Sequence, residues 1–263
     1  MVEISPLRTG ADVRAAARAG ELTGVTAGLA PGYVQANLVM MPAAYALEFL
    51  AFCIRNPKPC PVLEVCEPGD PEPRRLAPGA DLRTDLPAYR VYRDGRLVER
   101  RTDVTELWTD DMVSILIGCS FTFEWALSQH GIRLAHIEQG RNVSMYITNR
   151  ECVPAGRFHG PMVVSMRPFP PDVVPQVAAI TERFPGMHGA PVWIGDPKGL
   201  GIEDLGRPDF GDVLDFGPGD VPVFWACGVT PQAVALASGV PLMITHDPGH
   251  MFVTDAPHAA YQV

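Results

Sequence analysis

Val223-Phe224-Trp225-Ala226-Cys227-Gly228-Val229-Thr230-Pro231-Gln232 reads as an apolar strand, a tight turn and the first turn of a helix. A threonine hydroxyl can cap free backbone N–H groups, and proline at the first helical position loses no hydrogen bond it would have made. Thr230-Pro231 therefore marks a helix start, with Cys227 just ahead of it. Unpaired N–H groups and the helix dipole favour negative charge there, on a thiolate, a carboxylate or an oxyanion. The helix should lead into a second strand ending at His246-Asp247-Pro248-Gly249-His250. A strand-to-helix corner that carries a thiol is a plausible catalytic platform.

The same corner occurs earlier. A shift of 108 residues lays Ile117-Gly118-Cys119-Ser120-Phe121-Thr122 over Trp225-Ala226-Cys227-Gly228-Val229-Thr230, and Glu124 over Gln232. Without a gap, Gly131 falls on Gly239, Ile132 on Val240 and Leu134 on Leu242. With gaps the parallel runs further upstream, from Pro42 and its helix to Arg55, against Pro171 and its helix to Arg183. An internal duplication follows as the expectation, with pseudo-repeats near 33–140 and 158–252 and an insertion near 93–111 in the first. The N-terminal helix and loop fill 1–32, and a smaller α+β portion is expected within 140–220. The whole is read as one α/β unit with a three-layer, mixed-sheet core.

The chain has 263 residues, 47% hydrophobic and 19% charged, with a net charge of −9. That length buries a sizeable core. The acidic balance argues against nucleic acid as a partner, since phosphate recognition needs a basic surface. No apolar run reaches the ~18–20 residues of a membrane helix. Met1 to Gly20 carries Glu3 and Asp12 and reads as a capped surface helix, so cytoplasm is the expected location. The six cysteines form no CxxC pair, which favours free thiols over disulfides or zinc. Neither a metal nor a cofactor is expected.

Several local patterns bear on function. In Val34-Gln35-Ala36-Asn37-Leu38 the two amides share one face of an apolar strand, either satisfied in the core or aimed at a ligand. In Ala43–Arg55 the stripe Leu47, Leu50, Ala51, Ile54 should face the core. Arg83-Thr84-Asp85 is either a self-paired loop motif or an arginine held ready for a carboxylate. Asp94-Gly95 between two strand-like runs signals a hairpin, and its tyrosines, taken as exposed, suggest a homodimer. Met112–Ile117 is apolar throughout, as a parallel strand covered on both faces would be. Gln139 to Asn149 is the densest polar stretch, where Arg141, Asn142 and Asn149 can fork onto a carboxylate. Arg167 ends a strand and is a second anion-binding candidate. His246 and His250 are spaced H-x3-H, but Pro248-Gly249 forbids the helix that would put both rings on one face, so hydrogen bonding or proton transfer is favoured over metal binding.

Together, Ala30-Pro31-Gly32-Tyr33-Val34-Gln35-Ala36-Asn37-Leu38, Arg55-Asn56-Pro57-Lys58-Pro59-Cys60-Pro61-Val62, Arg83-Thr84-Asp85-Leu86-Pro87, Gly118-Cys119-Ser120-Phe121, Gly140-Arg141-Asn142-Val143, Phe224 to Gln232 and Ile244-Thr245-His246-Asp247-Pro248-Gly249-His250-Met251-Phe252 resemble the D-glutamate cyclase family. The resemblance covers the chain from about Gly20 to Asp255. It implies a hydro-lyase that interconverts D-glutamate with 5-oxo-D-proline and water, acting on a small acidic amino acid. Under that activity Cys119, Cys227, His246 and Glu124 are the expected proton carriers. Arg141, Asn142 and Arg167 would hold the α-carboxylate, with Asn37, Arg83, Thr230 and His250 as further binding candidates. Two rival readings stay open: a cofactor-independent racemase or epimerase using two opposed thiols, and a non-catalytic small-molecule binding protein.

Overall fold

The computed structural model describes residues 7–263. In chain order the helices of a turn or more and the strands are α1 (Gly10–Arg18), β1 (Tyr33–Pro42), α2 (Ala43–Arg55), β2 (Val62–Val65), β3 (Tyr89–Arg93), β4 (Arg96–Arg101), β5 (Met112–Gly118), α3 (Phe121–Gln129), α4 (Ala135–Glu138), β6 (Ser144–Glu151), β7 (Pro161–Phe169), α5 (Val174–Glu182), β8 (Trp193–Ile194), β9 (Val221–Ala226), α6 (Thr230–Ser238), β10 (Met243–His246) and β11 (Phe252–Pro257). The chain is thus α/β as expected. Every strand pairing among the described residues is antiparallel, which replaces the mixed sheet by two antiparallel ones. An apolar strand covered on both faces looks the same in either direction, so β5 gave no sign of it.

The larger sheet runs β2-β5-β1-β10-β3-β4, and β11 also pairs with β1; the smaller runs β6-β7-β9-β8. The two share one plan. In each, a long first strand, β1 or β7, pairs with the strand that precedes a cysteine corner, β5 or β9. Its other edge is taken by a strand that follows the other sheet's cysteine corner: β11, after the Cys227 corner, lies on β1, and β6, after the Cys119 corner, lies on β7.

Alternation along the strands sets the core. Val34, Ala36, Leu38 and Met40 of β1 join Leu116, Phe169, Val223 and Trp225 in one cluster that spans both sheets. Val39 and Met41 face the other way, onto Phe49, Phe52 and Cys53 of α2 and Val234 of α6.

Four local expectations are corrected. Leu47 and Ile54 of α2 are 78% and 76% exposed, and the buried face is Ala46, Phe49, Phe52 and Cys53. This helix is apolar nearly all round, so periodicity could not choose the face. Thr230 is not a cap: it is the first residue of α6, and its hydroxyl donates to Cys227 O (2.7 Å) and accepts from Val163 N–H (3.1 Å). The hairpin turns at Asp94-Gly95, both at positive φ as expected, but Tyr89 and Tyr92 are buried, which removes the exposed aromatic surface on which a dimer was argued. The N-terminal helix is capped by Thr9 and spans Gly10–Arg18; its expected first residues, 1–6, lie outside the described ones.

Candidate functional site

β5 and β9 each end in a turn that carries a cysteine into a helix, α3 and α6 respectively. The thiols share one surrounding: Cys119 and Cys227 belong to one buried cluster with Phe121, Val143, Met145, Val163, Val229 and Met251. Each faces a backbone N–H two residues on. Phe121 N–H donates to Cys119 Sγ at 3.4 Å, and the Val229 backbone does the same for Cys227. Burial outweighs those bonds and pushes both thiols up, Cys227 to about 11 and Cys119 further. Both are therefore protonated at neutral pH, sources of protons rather than standing thiolates.

The corners are packed without room for a side chain. A Cβ on Gly228 would lie 2.0 Å from Asn37 Nδ2, and one on Gly118 would lie 1.8 Å from Gly186 O. Asn37 itself donates to Gly118 O at 2.6 Å, so its amide ties one corner while it touches the other. Gln35 is held by Thr26 and by the Leu29 carbonyl. Thr26 in turn bonds Gly249 O and receives Met251 N–H, which fastens the loop after β10 beside the thiols.

His246 fills a seam. β1 pairs with β10 at Val39 and Met40 and with β11 from Ala36 back to Tyr33, which leaves Leu38 at the handover. His246 Nδ1 faces the Leu38 backbone on both counts, 3.2 Å from its N–H and 3.3 Å from its carbonyl oxygen, accepting from the one or donating to the other according to the ring's tautomer. The ring's Nε2 is fully buried and has no protein partner. Burial lowers the ring to about 4, so the imidazole is neutral at pH 7. Asn142 offers a matching orphan. Its Nδ2 donates to Pro248 O at 3.0 Å, while its buried Oδ1 has no partner. Two buried polar atoms without partners, an imidazole nitrogen and an amide oxygen, thus flank the loop that runs past the thiols.

Glu124 and Arg167 meet inside the protein. Arg167 Nε donates to Glu124 Oε1 at 2.8 Å, its Nη2 contacts the same oxygen and Ser120 Oγ (2.9 Å), and Nη1 reaches Ser165 Oγ (3.1 Å). Phe123 and Trp225, themselves in contact, both pack on the guanidinium, at 5.6 and 5.5 Å. His136 Nε2 sits 3.2 Å from Glu124 Oε1, and its Nδ1 is a further buried orphan. Burial alone would raise Glu124, but His136 and Arg167 outweigh it and the carboxyl lies below its ordinary range. Arg167 is thus bound within the protein and fixes Ser120, the neighbour of Cys119. The rule that ligands gather at carboxyl ends of strands belongs to parallel sheets, and β7 is antiparallel.

The other candidates are placed apart from one another. Arg141 is a half-buried residue paired with Asp215 at 3.1 Å and with Val213 O. Arg83 pairs with Asp81, not Asp85, and Asp85 is taken by Arg18. His250 bonds Pro248 O and lies 3.3 Å from Arg100. Reasoning from the sequence passed over His136, Arg90 and Arg100. For the two arginines the signal was their positions on either arm of the Asp94-Gly95 hairpin. Among the described residues no group of three or more metal-ligating side chains is assembled, and no helix is long and apolar enough to cross a membrane.

Comparison with known proteins adds to this geometry. The profile of the D-glutamate cyclase family matches residues 113–255. A protein of Rubrobacter xylanophilus named "Putative hydro-lyase" is 63% identical over 253 residues, covering 96% of this chain and 98% of the relative. One of the same name from Streptomyces avermitilis is 61% identical over 240 residues, covering 91% and 87%. The YcsI protein of Bacillus subtilis is 57% identical over 244 residues, covering 93% and 95%.

Proposed function

The chain belongs to the D-glutamate cyclase family, and from that premise we propose that it closes D-glutamate to 5-oxo-D-proline with release of water, at a site between the two cysteine corners. The family and its hydro-lyase relatives make it a carbon–oxygen lyase.

The reaction sets the requirements. The amine nitrogen bonds to the γ-carboxyl carbon, and one carbon–oxygen bond breaks. Starting from the ammonium carboxylate, two protons leave nitrogen and both end on the departing oxygen as water. A relay near both atoms is therefore worth more than a single strong base. Two protonated thiols in one cluster suit that relay, each able to give a proton to oxygen as it receives one from nitrogen. His246 Nε2 has no partner, and in the tautomer that accepts from Leu38 N–H it carries the proton and suits the γ-carbonyl oxygen as that oxygen gains charge. Asn142 Oδ1 suits the N–H of the attacking amine. Glu124 and Arg167 act at one remove, by fixing Ser120 and hence the Cys119 corner.

The observation that carries the reading is the shared cluster of Cys119 and Cys227. Two neighbouring thiols would suit a racemase as well, but a racemase needs one of them ionised before each turnover, whereas burial raises both. The parallel plan of the two sheets supports descent of the corners from one duplicated unit.

The test is incubation of the purified chain with D-glutamate in D2O and chromatography of the products. Lactam with protium retained at Cα is expected; deuterium at Cα with no lactam would favour the racemase. Cys119→Ala and Cys227→Ala should each lower lactam formation about 100-fold or more, the scale of lost proton transfer. Undiminished turnover in either would strike that thiol from the relay.

A further inference from the structure

Arg90 and Arg100 stand directly opposite one another in the antiparallel β3–β4 ladder. Like charges in facing positions repel, and such a pair persists only where something offsets it. The offset is one carboxylate. Arg90 Nε lies 2.6 Å from Asp247 Oδ1, and Arg100 Nε lies 2.7 Å from Asp247 Oδ2. Burial would raise Asp247, yet the two guanidiniums hold it below the usual carboxylate range, so it stays charged. Two positive charges against one negative leave one positive charge over. His250 does not add to the excess: burial lowers its pKa, and the neutral ring accepts from Arg100 through Nε2 (3.3 Å) while Nδ1 donates to Pro248 O.

The surplus charge is reachable. The Arg90 and Arg100 side chains are 24% and 51% exposed. Both meet Asp247 through Nε, so the Asp247 bonds use no terminal amino group, although Arg100 Nη2 also reaches His250 and the Arg90 side chain also bonds that of Tyr92. Arg90 lies over the Phe210 ring at 5.4 Å, and Phe210 packs on the cluster that contains Cys119 and Cys227. One aromatic ring therefore joins the cationic pair to the cluster that holds the thiols. On the same loop, Pro248 O holds Asn142, whose orphaned Oδ1 awaits an N–H.

We propose that Arg90 and Arg100, locked in place by Asp247, form the subsite that takes the carboxylate of a small amino acid or its lactam. A guanidinium presents parallel donors that match a carboxylate's two oxygens. The α-carboxylate passes unchanged through lactam formation, so one rigid clamp serves substrate and product alike. The naming of the ligand rests on the cyclase reading; the anion site itself requires only a small carboxylate.

Calorimetric titration of the full chain with 5-oxo-D-proline, D-glutamate and the uncharged 5-oxo-D-prolinamide tests it. Arg100→Gln should bind the two carboxylates about tenfold or more weakly and the amide unchanged. Arg100→Lys should recover part of the loss, and added salt should weaken only the carboxylates. Arg90→Gln gives a second reading of the same clamp. If Arg100→Gln binds 5-oxo-D-proline as the parent does and loses only unfolding midpoint, the pair is structural and the proposal falls. It falls also if the parent binds none of the carboxylates. If the parent binds them, Arg100→Gln does not, and no lactam ever forms, the clamp stands and the cyclase reading fails. If Arg100→Gln forms lactam with an unaltered KM, the cyclase reading stands and the clamp fails.

Discussion

Acid should destabilise this protein well before its carboxylates titrate, because two of its histidines are buried in the neutral form. His246 and His188 are each lowered from 6.5 to about 4, burial being the largest cause in both. His188 Nδ1 donates to Lys58 O at 2.9 Å, in a loop packed on the Cys119 corner. A ring whose folded pKa is depressed takes up its proton first in the unfolded chain. Its contribution is intact above pH 6.5 and is lost progressively as pH falls towards 4. At about 1.4 kcal/mol per unit of difference, each ring is worth roughly 3 kcal/mol over the whole window and about 2 kcal/mol between pH 7 and 5. Together they remove about 4 kcal/mol by pH 5, a large part of the stability of an ordinary domain. Glu124 and Asp247 are lowered too, but their losses begin near the ordinary values of 4.5 and 3.8, so pH 5–7 isolates the histidines, to which His250, also lowered by burial, adds a loss of the same sign. The assay is urea unfolding at fixed pH values across that range. His246→Asn keeps an acceptor for Leu38 N–H and should remove about 2 kcal/mol of the pH-dependent loss. A flat profile from pH 7 to 5, or an unchanged slope in His246→Asn, would refute the reasoning.

Three further outcomes are expected. Glu124→Gln strands Arg167 as a buried charge and should cost about 3–5 kcal/mol in urea unfolding, whereas Glu124→Leu with Arg167→Met should recover most of it. Gly118→Ala drives a Cβ to 1.8 Å from Gly186 O, backbone that cannot swing aside, and should cost about 1–3 kcal/mol or prevent folding, read as the thermal midpoint. Leu47→Lys and Ile54→Lys on the outer side of α2 should stay within about 0.5 kcal/mol of the parent; a larger loss would restore these positions to the core.

What the letters carried and what they withheld divide along physical lines. Asp94-Gly95 was legible because a tight hairpin demands positive φ there, a local requirement. The two cysteine corners were legible because a turn, a thiol and a helix start lie within a few residues, and the same run returns 108 positions later. Strand direction was not legible, since β5 is apolar on both faces whichever way its neighbours run. Nor was the inner face of α2, where Leu47 and Phe49 are equally greasy and only packing separates them. Arg141 looked better placed for a carboxylate than Arg90 because its neighbours in sequence are polar. Arg90 faces Arg100 only through β-ladder register, and both reach Asp247 from well over a hundred residues away. The Glu124–His136–Arg167 set has the same character, drawn from α3, α4 and β7.

The exchange of β6 and β11 between the sheets bears on how the chain is born. β1 emerges from the ribosome early, yet the strands that flank it on one side are the last two, with Tyr33 waiting for Pro257 and Val39 for Thr245. The larger sheet therefore stays open until β10 and β11 are made, and contacts of such long sequence separation form slowly. A nascent chain stalled before Met243 would present β1 as bare ladder, the substrate a chaperone must shield from its neighbours.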